Sequence, residues 1–426
     1  MPARALDERG DRSPIVVREM QNPGTISEIA FSGDGCHILM GARNLAVRVW
    51  NIRSGGVDLV ALPLAGSNDD GGYHAGHLGC DTLQHPARGL LMAAGGASGG
   101  VLIWDSCEPI AAIDQTAVGG PRPTADLRNN GHEYGVPLSH LSAYPDGRFV
   151  ISADSTTLKF WSAEDFTCKR TIRSSFKVEI LMVSAKGKFV FVVGENGGDR
   201  GGNRRKPTKR RAVIAVWDGR KRGKIHPGFC GEIDPIGLLR GHGRPIQSLY
   251  TPENPVQIQN IDGSIRPVGE WRHPPVDVLV TSALDAMVKT WDVPTGTCTK
   301  TIWSKGGLES PLSYAALVNR GAWLLTSCQD GSLQVWGVDT GKCLLTLVNT
   351  TGIAPATTTT TTSSLPLRTA RLAVSRCGRL AAFAVGRRVK VLDFDMLADR
   401  SAAAGPPGQP GAYLRHALGF VTSPAA

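Results

Sequence analysis

Two stretches of the chain carry side chains that could do chemistry. Residues Asn203 to Arg211 read NRRKPTKRR and gather Arg204, Arg205, Lys206, Lys209, Arg210 and Arg211 in one run. Cations at this density would neutralise phosphates or an acidic partner, or be read as a nuclear localisation signal; an idle solvated loop is the plain alternative. No aromatic is interleaved, so base stacking is not indicated. The second stretch is YHAGH, with His74 and His77. Two imidazoles make half of a tetrahedral metal site, and the sequence offers no third and fourth ligand. The chain has no HExxH, Walker loop or paired-carboxylate motif. The reading is therefore no catalytic residue, no metal, no cofactor and no small-molecule substrate.

The charge is local. The chain has 426 residues and a formal net charge of +10. Between Arg200 and Lys224 stand eleven Lys/Arg and one acid, Asp218, so this window holds the whole net charge. Hydrophobic residues make up 41% and charged residues 20%, a globular composition with ample length for a large core. No run of 18 apolar residues suggests a transmembrane helix, and the first residues, MPARALDERGDRSP, lack an apolar signal core. Nine cysteines without a CxxC pair suit a reducing compartment, so cytoplasm, nucleus or both are expected, and no membrane.

The positioning elements repeat. TWDVPTGTCTKTI (290–302) returns as VWGVDTGKCLLTL (335–347) and, degraded, as FWSAEDFTCKRTI (160–172). Aligned on the Trp, strand-like segments end at Trp50, Trp104, Trp161, Trp217, Trp291 and Trp336, with RRVKVL ending at Leu392 as a seventh. The spacings are 54, 57, 56, 74, 45 and 56 residues. The shortest is near the ~40–45 residues of a four-stranded repeat, and the rest need insertions. Two further β-branched or aromatic segments precede each slot, joined by Gly-bearing turns such as YPDGR and VNRGA. Trp-Asp closes a third strand, Thr-Gly turns the chain, and Cys168, Cys298 and Cys343 begin a fourth strand as packing residues.

This pattern resembles the WD-repeat β-propeller family, over about residues 15–398. The resemblance implies an all-β fold: a seven-bladed β-propeller of four-stranded antiparallel blades, with loop insertions in blades four and five. Gly241-His242 and TSALDAMVKTWD make blade five nearest the family pattern. There the family implies a buried hydrogen-bonded chain through His242, Thr281 or Ser282, Asp285 and Trp291. Asp330 stands before Trp336 as Asp285 does before Trp291. Family topology has an N-terminal strand close the ring; PIVVREM (14–20) is the candidate and AYLRHALGF the competitor. Residues 1–14 are expected to be disordered, and 399–426 to be a linker and tail.

Insertions are where function is sought. The first spans about 194–211. The second, about 251–275, contains VQIQNIDGSIRPV, a hairpin with an Asp262-Gly263 turn, and Trp271, which either caps the insertion or anchors a partner. The third, about 350–367, is a Thr-rich linker. Arg53 in VWNIR and Arg220 in VWDGR each half-match the signature by which cullin-4 ligase receptors hold their adaptor. The functional expectation is a non-enzymatic scaffold for protein partners. The alternatives are a nucleic-acid-associated factor using residues 200–224 and a cullin-4 substrate receptor.

Overall fold

The computed structural model describes residues 16–32, 35–42, 47–61, 80–95, 101–105, 125–126, 138, 140–174, 176–196, 211–219, 235–253, 257–259, 265–267, 277–303, 312–328, 333–347, 371–385 and 387–394. The chain enters as β1 (Val16–Gln21), a strand that pairs elsewhere. Sheet one is β2 (Ile26–Phe31), β3 (His37–Ala42), β4 (Val47–Asn51) and β5 (Val57–Ala61). Sheet two is β6 (Cys80–His85), β7 (Gly89–Gly95), β8 (Val101–Asp105) and β9 (Ala125–Asp126). Sheet three is β10 (His140–Ala143), β11 (Phe149–Ala153), β12 (Thr157–Ser162) and β13 (Cys168–Arg173). Sheet four is β14 (Val178–Val183), β15 (Phe189–Asn196), β16 (Arg211–Asp218) and β17 (Gly237–Arg240).

Sheet five starts with β18 (Ile246–Tyr250). A separate two-stranded sheet follows, β19 (Gln257–Gln259) with β20 (Ile265–Pro267), before β21 (Val278–Ala283), β22 (Met287–Asp292) and β23 (Thr297–Trp303) complete it. Sheet six is β24 (Leu312–Val318), β25 (Trp323–Cys328), β26 (Leu333–Gly337) and β27 (Cys343–Leu347). Sheet seven is β28 (Arg371–Val374), β29 (Leu380–Val385) and β30 (Arg388–Asp393), with β1 as its fourth strand.

Among the described residues seven four-stranded sheets form, but only six are complete blades, which corrects the expectation of seven. Sheet two is the incomplete one, short at its described rim. Its outer strand β9 is two residues long and meets β8 only at Leu102↔Asp126 and Ile103↔Ala125. The physical reason is legible: after Trp104-Asp105 the sequence runs SCEPIAAIDQ, without the Thr-Gly turn that would fold the chain straight back.

The sheets form because their central strands are apolar on both faces. In β15, Phe191 and Val193 pack towards sheet five while Val190 and Val192 pack towards sheet three. In β3, Ile38 and Met40 face sheet seven. Successive sheets lie side by side, and β2 packs on β28 and β29, so the last sheet meets the first. The innermost strands also exchange side chain-to-backbone bonds. The Ala143 amide donates to Asp81 (2.7 Å), that of Val183 to Ser142 Oγ (3.1 Å) and that of Ala315 to Ser248 Oγ (3.1 Å).

Closure uses the N-terminal strand. β1 pairs antiparallel with β30 from Val16↔Leu392 to Gln21↔Arg388, and Lys390 meets Glu19 at 3.2 Å. Arg18 reaches across to the carbonyls of Ile52 (3.0 Å) and Arg53 (2.5 Å), tying the closing strand to sheet one. Segments 1–14, 350–367 and 399–426 lie outside the described residues.

In sheet seven, Asp393 is fully buried, with Arg379 Nε donating to it at 2.8 Å and Nη2 at 2.7 Å. A buried pair is costly to break on one side only. Arg379→Met should therefore destabilise by about 3–5 kcal/mol in chemical unfolding. Arg379→Met with Asp393→Leu should recover most of that loss.

Candidate functional site

The third strand of each four-stranded sheet carries the repeat position: Trp50, Trp104, Trp161, Trp217, Trp291, Trp336 and Leu392. A β-bulge recurs beside it. Trp161 pairs with Cys168, Trp291 with Cys298 and Trp336 with Cys343, each after a register shift; Trp50 meets Val57 the same way. The turn five residues after the Trp takes a left-handed residue. It is Gly55, Gly296 and Gly341 in three sheets, and Phe166 (φ 56°) in sheet three. There the backbone of Phe166 is left-handed without being Gly, and its ring lies 4.8 Å from the guanidinium of Arg88 of the preceding sheet.

Sheet five brings four of the sequence-selected residues together. His242 follows β17, Thr281 lies in β21, Asp285 in the turn before β22, and Trp291 in β22. His242 Nδ1 stands 3.0 and 3.2 Å from the two Asp285 oxygens, and its Nε2 stands 2.7 Å from Thr281 Oγ1. Trp291 Nε1 donates to the same hydroxyl at 3.0 Å. Asp285 also accepts from the Gly243 amide (2.9 Å) and the Met287 amide (3.2 Å). The side chains of His242 and Asp285 are 1% and 9% exposed. Burial pushes the Asp285 carboxyl up, but the His242 bond and the two amides outweigh it and hold the group below its usual range. The pattern left Thr281 and Ser282 open; register separates them. Thr281 joins the chain, while Ser282 bonds Ser248 at 2.8 Å, whose hydroxyl accepts from sheet six.

Sequence reasoning missed the same hydroxyl in other sheets. Trp161 Nε1 donates to Ser152 (2.8 Å) and Trp336 Nε1 to Thr326 (3.1 Å). The available signal was a hydroxyl residue nine or ten positions before the Trp. Where it is absent the pattern changes. Met40 occupies the equivalent place in sheet one, opposite Arg48, and Trp50 Nε1 is buried without a partner. Phe383 occupies it in sheet seven, and there Leu392 replaces the Trp.

The other selected residues are spread out. Arg53 is exposed in the turn after β4. Arg211 opens β16 opposite Asn196, so the first insertion shortens to residues 197–210. Arg204, Arg205, Lys206, Lys209, Arg210, Arg220, Trp271 and Asp330 lie outside the described residues, as do His74 and His77. Among the described residues no group of three His, Cys, Asp or Glu could hold a metal. No helix there is long and apolar enough to cross a membrane.

Four-stranded antiparallel sheets arranged in a ring, apolar on both faces, define a β-propeller. The family model for the WD domain, G-beta repeat, matches residues 124–162, from β9 to the end of β12. Human "WD repeat-containing protein 18" is 21% identical over 315 residues, which is 72% of this chain and 58% of that protein. The chain therefore spans less than two thirds of that relative's length. With the Trp-ended third strands, these matches support a likeness to the WD-repeat β-propeller family.

Asp285→Ala should leave His242 without its buried acceptor and destabilise by about 1–3 kcal/mol in urea unfolding. A depressed carboxyl stabilises the fold above its ordinary value of 3.8 and loses that contribution as pH falls towards the folded value. The acid limb of the stability curve should accordingly be shallower in Asp285→Ala than in the unaltered chain.

Proposed function

We propose that the chain is a non-enzymatic scaffold that holds protein partners at its faces and rim within a multiprotein assembly. WD-repeat propellers generally serve as scaffolds that bind other proteins. One observation carries the reading for this chain. Its most reactive-looking constellation, His242–Asp285 with Thr281 and Trp291, is buried, and its polar groups are engaged with one another inside sheet five. Such a network rigidifies a blade and offers no group to a substrate. What is left to the outside is loops, turns and rim strands on a stiff ring.

A second reading, nucleic-acid association, is favoured by one observation: residues 200–224 contain the entire net charge of +10. The scaffold reading takes that window as a transport signal, with the chain in the cytoplasm, the nucleus or both.

Affinity purification of the intact chain should recover a defined set of proteins in constant proportion; a chain recovered alone would overturn the scaffold reading. The variant with Arg204, Arg205, Lys206, Lys209, Arg210 and Arg211 changed to Gln separates the two readings. It should keep those partners and melt with the unaltered chain, but lose nuclear accumulation. Salt-sensitive RNA or DNA binding by the unaltered chain, with a log–log slope of roughly −0.7 to −0.9 per phosphate that flattens in the variant, would promote the second reading.

A further inference from the structure

We propose that the open edge of β17 binds an extended acidic peptide of a partner protein, which adds to sheet four as a fifth strand. The inference rests on the scaffold reading and names one surface for it.

β17 pairs with β16 from Val213↔Arg240 to Val216↔Gly237, and among the described residues no strand pairs with its other edge. An unpaired edge is a ready template for main-chain hydrogen bonding. Most outer strands blunt it with polar side chains: Lys169 and Arg173 are exposed on β13, Thr297 and Thr299 on β23, and Glu19 on β1. β17 does the opposite. Just before it and within it, Ile236 is 58% exposed and Leu238 44%, the two exposed large hydrophobics among the described residues. They alternate with Leu239, which is buried against sheet five opposite Ile214. The strand is therefore fixed on one face and bare on the other. Leu238 lies opposite Ala215, so its bare face continues the apolar surface that Ala215 and Trp217 present towards sheet three.

Charge selects the occupant. Arg240 is exposed at one end of β17, and Arg211 begins β16 at that same end of the sheet. A peptide with apolar residues at alternate positions and acids between them would fill the bare face and meet the guanidinium of Arg240. Aliphatic side chains, not rings, stand on the edge, which favours a peptide over a nucleic acid.

The probe is a fluorescein-labelled peptide alternating Glu with Val and Leu, titrated into the intact chain and read by anisotropy. Binding should saturate and weaken as salt rises. Ile236→Thr with Leu238→Thr keeps β propensity and removes exposed side chains only, so the variant should melt with the unaltered chain yet bind at least about tenfold more weakly. The same peptide N-methylated at alternate residues should not bind. Absence of saturable binding, unchanged affinity in the double variant, or an oligouridine binding where the peptide does not would each overturn the proposal. Loss of the peptide with recovery of the purified partners would remove this surface and leave the scaffold reading standing.

Discussion

A sheet that is apolar on both faces needs a neighbour on each side, and this constraint governs the molecule. The strands of sheet four show it most plainly, with alternate residues of β15 contributing to two different cores. In an open stack the first and last sheets would each leave one such face in water, at roughly 25 cal/mol for every Å² exposed. A ring removes both ends. The apolar seam between sheets one and seven, with Ile38, Met40, Ala382 and Val391, is what the ring gains. Closure through β1 follows from the same constraint, because one sheet must be completed by a strand from the other end of the chain.

Within the sheets, the Trp of the third strand is a large ring with one polar group, and the fold must find an acceptor for its N–H. Ser152, Thr281 and Thr326 supply it. Sheet five adds His242 and Asp285 to the same hydroxyl, making the longest polar chain of the three. Sheet seven solves the problem by dispensing with the Trp. Sheets three, five and six thus keep the Trp and the hydroxyl together and sheet seven lacks both, while sheet one keeps Trp50 with Met40 in the hydroxyl's place.

Much of this was legible because the repeat fixes the register. The Trp positions, the Cys residues opening the fourth strands, the β19–β20 hairpin and the use of PIVVREM for closure follow from short patterns with direct physical meaning. The short described rim of sheet two was not foreseen, because the Trp104 slot looks regular and the missing feature is the turn after it. Choosing Thr281 over Ser282 needed strand register, since adjacent residues point to opposite faces. The bare edge of β17 was invisible for another reason: PIGLLR reads as an ordinary apolar strand until one face proves to have no neighbour. Arg220, Trp271 and the basic run lie outside the described residues, so their placement stays an expectation.

The origin of β1 also has a kinetic side. Of the described strands it is the first to be made and its partner β30 the last, so Val16 waits for Leu392 while all the others are synthesised. Contacts between such distant parts of a chain are slow to form, and an unpaired strand is exposed to other chains meanwhile. The sequence VVREMQ places Arg18 and Glu19 in the middle of that strand. Charges there disfavour pairing with a second copy, and once the ring shuts they bond to sheet one and to Lys390. The residues that secure the finished ring are thus suited to protect the nascent one.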